Sequence, residues 1–435
     1  MFRQPLRWRP SALPIRPGEG RRVGLCVLYF FCLLSAYYVL RPVRDEMSVR
    51  AGVGKMPWFF TGTFIAMLAL VPVFGYVSSR CPRRRFLPSI LFFFAGNLVV
   101  FFIALRPPAL SPWAAPAFFV WLAVFNLLAV SVSWSFVSDL FQHEQSRRLF
   151  GIVAAGASLG AILGPAATAL AAPRVGPGRL LLPAAALLVV CALAASALGR
   201  NRSEGEPEAG AAPIGGGSLD GVGLTVRSPF LLAVALALVC YTMVSTVLYF
   251  AQTEIVGASI RSAGDRTALF AKVDLAVNGL TILLQVFVTG PLIRRTGVGG
   301  ALAAVAAAAT AGVVFLGIAP ELVTVVALQI VHRAGHFAVG RPARETLFVT
   351  LDAETRYKAK GFIDTAVYRG SDAASAWLLA LLRSHGAGVA ATAWFSVPVG
   401  MVWTATSYWL GRKGDQRQAE LSRCPRSLPV DRSVA

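Results

Sequence analysis

Charge is what this sequence has least of. Only 14% of its 435 residues are Asp, Glu, Lys or Arg, where a soluble domain carries roughly 25%. So little charge excludes a chain built mainly of water-exposed domains. Cysteine is sparse too: Cys26, Cys32, Cys81, Cys191, Cys240 and Cys424 show no Cys-x-x-Cys spacing, which excludes a disulfide framework or a zinc site of the usual kind. No phosphate-cradling Gly-x4-Gly-Lys-Ser/Thr loop, nucleophile elbow or pair of catalytic carboxylates on a soluble domain is present. The sequence therefore predicts no enzyme, no ATP hydrolysis, no cofactor and no metal.

What is present is apolar sequence, 56% of the chain, in stretches of membrane-spanning length. Twelve spans are expected, at 23–40, 57–79, 86–105, 115–138, 149–171, 180–198, 229–251, 268–290, 299–319, 321–340, 361–382 and 389–411. The first follows a basic stretch but is long and aromatic and has no small-x-small exit, so it reads as an uncleaved helix. The net charge of +20 could point to nucleic acid, but its placement argues for topology. With the N-terminus inside, inside segments hold 28 Lys and Arg and outside loops 10, with Lys272, Arg333 and Arg369 inside spans. That asymmetry is the positive-inside rule. It predicts a multi-pass protein with both termini cytoplasmic and the lipid bilayer as its surroundings. A bacterial inner membrane, a monomer and no nucleic-acid partner are expected.

One long polar, Gly-rich break divides the chain. The expected organisation is a basic N-terminal segment (1–22), a six-helix half (23–198), a central loop (199–228), a second half (229–411) and a tail (412–435). The halves echo one another at an offset near 210: Ser35 answers Ser245, Arg44 answers Glu254, and Glu144-x6-Gly151 answers Glu354-x6-Gly361. The fold class is thus an all-α membrane protein of twelve helices in two parallel-repeat halves, with a site at the midplane between them.

Two motifs resemble those of the major facilitator carriers. GYVSSRCPRRR (75–85) is similar to their G-x3-D-R-x-G-x-R-R loop, with Ser79 in place of the acid and Pro82 in place of a glycine. The resemblance implies gating roles for Gly75, Arg80, Arg84 and Arg85. GIVAAGASLGAILGPAATA (151–169) resembles G-x8-G-x3-G-P-x2-T-A on Gly151, Gly160, Gly164 and Pro165. Gly156, Gly160 and Gly164 form one flat stripe that lets a neighbouring helix approach closely, and Pro165 is placed to kink a rocking helix.

A narrower resemblance is to the ATP/ADP exchange translocases of plastids and intracellular bacteria. ETRYKAKGFIDTAVYRG (354–370) is similar to their T-K-V-K-G-K-x-x-I-D run at Lys358, Lys360, Ile363 and Asp364. YYVLRPVRDEM (37–47) resembles their L-R-x-x-K-D run at Arg41, Arg44 and Asp45, and FAKVDLAVNG (270–279) keeps the Asp274 of a third. The resemblance implies nucleotide exchange.

Chemistry permits that reading, because a polyphosphate exchanges hydration for charge-assisted bonds to several cations. Charges at membrane depth are costly and face a bundle interior. Arg41, Arg44, Lys272, Arg333, Arg369, Lys358 and Lys360 are the expected phosphate-binding cations, with Arg341 and Arg344 near the mouth. Asp45, Glu254, Asp274 and Asp364 are the expected charge partners or proton sites. Arg41, Arg44 and Asp45 share a helix face beside Pro42, while Glu46 lies off it, solvated. His332 and His336, four apart, suit cavity lining or packing better than metal. Two readings stay open besides nucleotide exchange: a proton-coupled carrier or exporter of a small organic solute, and a membrane sensor or scaffold that does not transport.

Overall fold

Backbone groups inside hydrocarbon have no water to bond, so a chain this apolar must satisfy them within helices. The computed structural model describes residues 15–16, 18–80, 83–107, 111–138, 140–141, 143–200, 220–349, 351 and 353–423, and no strand occurs among them. Fifteen α-helices cover these residues: α1 (Gly20–Ala51), α2 (Met56–Arg80), α3 (Arg83–Ala104), α4 (Ser111–Ser138), α5 (His143–Val175), α6 (Leu181–Arg200), a short α7 (Asp220–Arg227), α8 (Pro229–Ser259), α9 (Ala263–Leu284), α10 (Gly290–Ile318), α11 (Leu322–Gly335), α12 (Arg341–Val349), α13 (Ala353–Phe362), α14 (Tyr368–Ser384) and α15 (Val389–Arg423).

Ten helical stretches among the described residues are long and apolar enough to cross a membrane. The longest, Ala263–Ile318, turns at Gly297, whose φ of 71° suits glycine alone, and so makes two crossings. The expected span 361–382 lies in the helical stretch 353–384, which is not among the ten. All twelve expected spans thus fall on helix, and ten helical stretches meet the length and hydropathy of a crossing. Most of the expected N-terminal segment, most of the central loop and the end of the tail lie outside the described residues.

Local signals explain the element ends. Ser228 caps α8 by accepting the Leu231 N–H at 3.4 Å, with Pro229 in the first turn, and Ser262 caps α9 through Asp265 N–H at 3.3 Å. Gly52, at φ 85°, closes α1. That helix runs well past Leu40, the expected end of its span. Its 32 residues extend about 48 Å, so Arg41 to Ser48 stay inside the bundle rather than at its boundary.

Packing repeats between the halves. In the first, α1 packs on α4, α5 and α6, and α3 on α6; in the second, α8 packs on α11, α14 and α15, and α10 on α15. α5 and α13 begin 210 residues apart, at His143 and Ala353, matching the offset in the sequence. Each half buries its own apolar core. Across the interface α5 lies on α9 and α2 on α14, a pseudo-symmetric exchange of contacts. A small cluster of Met56, Val247, Phe250, Ala376 and Leu379 also joins the halves.

The glycine stripe of α5 does what its spacing implies, and its neighbour is α1. A Cβ on Gly156, Gly160 or Gly164 would lie 2.6, 2.5 and 2.8 Å from the carbonyl oxygens of Val27, Phe31 and Ser35. Gly151, the first position of the motif, faces nothing within 4 Å. The side chains of Arg80, Arg84 and Arg85, and the surroundings of Gly75, lie outside the described part. Gly160→Leu should therefore lower the thermal unfolding midpoint of the detergent-purified protein, by overpacking worth about 1–3 kcal/mol or more. Gly151→Ala should leave that midpoint unchanged or raise it, by no more than about 1 kcal/mol.

Candidate functional site: a cationic cavity between the halves

Four charged groups in six residues of α1 are tolerable at this depth only if other groups answer them. Three of them, Arg41, Arg44 and Asp45, face a cavity of about 490 Å³ lined by α1, α2, α4, α8, α11, α12 and α14 and the segments between the last three. Tyr37, Arg41, Arg44 and Asp45 form its α1 stripe, four to eight residues apart on one helix face.

Arg44 donates to Asp45 Oδ1 from Nε at 3.0 Å and from Nη2 at 2.6 Å. Asp45 also accepts the Tyr249 hydroxyl at 3.0 Å from the opposite half. The Arg44 guanidinium lies 5.1 Å from the Phe119 ring centroid and 5.9 Å from that of Tyr249, within cation–π range. One turn earlier, Arg41 lies 3.6 Å from Asp274 Oδ1, and Arg333 donates to the same oxygen at 2.6 Å. Asp274 is 1% exposed. A single carboxylate thus holds one arginine from each half. Among the described residues, its Oδ2 and the Nε of both arginines have no hydrogen-bond partner.

The second half supplies most of the charge. Arg344 lies 3.1 Å from Asp364, and Arg369 lies 3.5 Å from Asp372 on the next helical turn. Arg341 also lines the cavity, and no ion pair is recorded for it among the described residues. Two π-helical turns, His336–Gly340 and Ile363–Val367, carry His336, Phe337, Asp364 and Thr365 to the wall. Such turns widen a helix locally and re-aim its side chains, and they recur at functional sites. His336 lines the cavity and stacks on Tyr241 at 4.1 Å between centroids. His332, 2% exposed, packs behind it against Tyr241 and Trp403. Among the described residues no cluster of metal-ligating side chains occurs.

Several expected site residues lie elsewhere. Lys272 is exposed on α9 while Asp274, two positions on, points inward, since the α-helical turn separates them by about 200°. Lys360 is held by Glu345 at 2.5 Å and lies outside the lining, as does Lys358. Glu254 answers Arg44 in the repeat but pairs with Arg383 inside its own half, so the halves do not bring those two charges to one site. Glu46 is not solvated. It is 1% exposed and takes a two-point bond from Arg266, at 2.6 and 2.7 Å. On the other side of the molecule, the Arg16 backbone N–H and the Arg148 guanidinium hold the Glu19 carboxyl below its usual value.

The Glu46–Arg266 pair belongs to a closure. Tyr38 donates to Asn278 at 3.0 Å, Asn278 donates to the Ala161 carbonyl at 2.7 Å, and Trp377 donates to Thr61 at 3.0 Å. All join one half to the other, and the outermost gather where α1 ends. The aromatic lining of Tyr37, Phe60, Phe119, Tyr241, Tyr249 and Tyr368 was missed from the sequence. Tyrosines within the expected spans were the signal that could have found four of them, Tyr37, Tyr241, Tyr249 and Tyr368.

A model of the Major Facilitator Superfamily matches residues 25–351. The ADP,ATP carrier protein 1 of Chlamydia trachomatis serovar D is 22% identical over 92% of this chain and 90% of its own length. The protein of the same name from Chlamydia muridarum is also 22% identical, over 92% and 89%. Among solved structures, the nucleoside transporter NupG superposes with a TM-score of 0.63 at 13% identity, covering 92% of this chain and 99% of its own. The POT family transporter PepTSo gives 0.63 at 13%, over 93% and 99%. The two structural likenesses are likenesses of fold alone.

Asp274→Asn leaves Arg41 and Arg333 without their shared counter-charge and should destabilise the folded protein by about 3–5 kcal/mol, read as a lowered thermal unfolding midpoint. Lys272→Gln should change neither the midpoint nor transport. A Lys272→Gln effect equal to that of Asp274→Asn would contradict the placement of these two side chains.

Proposed function

We propose, for a chain that belongs to the Major Facilitator Superfamily, secondary active exchange of anionic, phosphorylated solutes of the ATP and ADP kind by alternating access. That the chain is a multi-pass membrane transporter and not an enzyme is the premise; substrate and exchange are the proposal. The observation that carries it is the charge of the cavity. Six arginines line it against three aspartates, Asp45, Asp364 and Asp372. Counting buried Asp274 as a fourth acid leaves a surplus of two positive charges.

A surplus of this kind suits a polyanion and is costly for a neutral solute. In this reading Arg341 meets the incoming phosphates, and Arg344, Arg369 and Arg333 trade part of their bonding to Asp364, Asp372 and Asp274 for charge-assisted bonds to phosphate oxygens. Arg41 and Arg44, across the interface, complete the shell. The chlamydial relatives named ADP,ATP carrier support nucleotides as the class.

Alternation follows from what holds the closure. Opening the side where α1 ends must separate Arg41 from Asp274, Glu46 from Arg266 and Tyr38 from Asn278. Arg41 and Arg333 can leave Asp274 at acceptable cost only with an anion in its place, so the empty carrier stays put and exchange results. With the N-terminus cytoplasmic, the closed side is the outer one and the cavity serves the cytoplasm of a bacterial inner membrane.

Proteoliposomes loaded with unlabelled ADP should accumulate labelled ATP, and empty liposomes should not. Arg44→Gln should lower that counterflow by at least about ten-fold, the effect of losing roughly 1.4 kcal/mol or more of charge-assisted binding, while the protein still purifies folded. One observation favours a rival. Asp372 is buried, at 7% exposure, and among the described residues is held only by the 3.5 Å contact to Arg369. A carrier coupling a small organic solute to protons would use it, and uptake driven by a pH gradient with no internal counter-substrate would select that reading.

A further inference from the structure

The cavity is chemically one-sided. Its charges come from α1 and from the second half, while the wall formed by α2 and α4 carries none. That wall is Phe60, Met67, Phe119, Leu122 and Leu127 with Asn126 among them. On α4, Phe119, Leu122, Ala123, Asn126 and Leu127 fall three, four, seven and eight residues apart, a single helical stripe. A polyphosphate gains nothing from such a surface, which removes apolar and aromatic area from water.

Asn126 is the only amide in α4, sixteenth of its 28 residues and so near the middle of the membrane. An amide there costs free energy unless it is bonded. It faces the cavity, and it has no hydrogen-bond partner among the described residues. The other polar side chain of this wall, Thr63, already donates its hydroxyl to the Phe59 carbonyl at 2.8 Å. Asn126 is therefore the group on the uncharged wall that is free both to donate and to accept.

We propose that this wall binds the heteroaromatic ring of the substrate and that Asn126 reads its edge, with the polyphosphate turned toward Arg341, Arg344, Arg369 and Arg333. The inference rests on the exchange reading above and goes beyond it by placing the base and naming the residue that reads it. A carboxamide presents one donor and one acceptor side by side. On the edge that carries N7, that pattern complements the N6 amino group and N7 of adenine and mismatches guanine, whose O6 and N7 are both acceptors. The substrate class is an adenine nucleotide, held in one polarity: ring on α2 and α4, phosphates on α11, α12 and α14.

Equilibrium binding to the purified full-length protein, with ATP, GTP and inorganic tripolyphosphate as probes, tests this. The wild type should prefer ATP to GTP, and tripolyphosphate should bind through the arginines alone. Asn126→Leu should weaken ATP by about ten-fold and bring the ATP-to-GTP ratio toward one, while tripolyphosphate stays within about two-fold. Retained tripolyphosphate binding also certifies that the variant is folded. Asn126→Gln, which keeps the amide, should keep part of the preference. An ATP-to-GTP ratio unchanged in Asn126→Leu would overturn the assignment, as would equal loss of ATP and tripolyphosphate in both variants. If the wild type binds tripolyphosphate but does not discriminate ATP from GTP, the ring site fails and the polyanion reading survives. If it binds none of the three, the exchange reading falls and takes the ring site with it.

Discussion

A carboxylate with almost no exposure that holds an arginine from each half is the constraint on which this structure turns. Asp274 sits on α9, and its two cations come from α1 and α11. At an effective dielectric constant of about 20, an ion pair near 4 Å gains roughly 4 kcal/mol, while each buried ion gives up several kcal/mol of hydration. The pairs are therefore near balance rather than strongly stabilising. What they supply is geometry: the halves are held in one relative position, and a small change in what the arginines see can release them. A carrier needs that near balance, because neither face should be locked.

The closure around Asp274 is graded in chemistry. Near the middle lie Arg41 and Asp274, with Tyr38, Asn278 and the Ala161 carbonyl beside them. Further toward the end of α1, Glu46 and Arg266 form a two-point bond, and Arg266 also donates to the Ile260 and Arg261 carbonyls. Every polar group of that outer pair is answered by protein, whereas Asp274, among the described residues, keeps one unanswered oxygen and holds two arginines that line the cavity. Under the proposed alternating access, the outer pair would act as a latch and the inner one as the responsive element. The α1–α5 contact needs the opposite property. Three glycines let those two helices touch backbone to backbone, so the first half can move as one body.

Much of the site was legible, for identifiable reasons. Arg41, Arg44, Asp45, Arg333 and Arg369 announced themselves because charge inside an apolar run has few reasons to exist except a cavity or a partner. Lys272 obeyed the same rule and points outward, because one run of sequence does not say which face of its helix meets protein. Glu46 was misread for a related reason: α1 is longer than its apolar core, so a residue off the cavity face still lies inside the bundle, against α9. The aromatic and amide lining was harder still. Phe60, Phe119, Asn126 and Tyr249 look like ordinary members of membrane helices, and only a neighbour across open space gives them a role.

The sequence by itself determined the class of the molecule. Scarcity of charge, recurrent apolar runs and an offset near 210 residues leave helices in two parallel halves as the arrangement that satisfies every backbone group in hydrocarbon and repeats one packing twice. Partners were decided only in three dimensions. Which acid holds which arginine, which wall of the cavity stays uncharged and which end is closed all depend on contacts between helices far apart in the chain. Local periodicity fixes the face of a helix; the bundle fixes what that face meets.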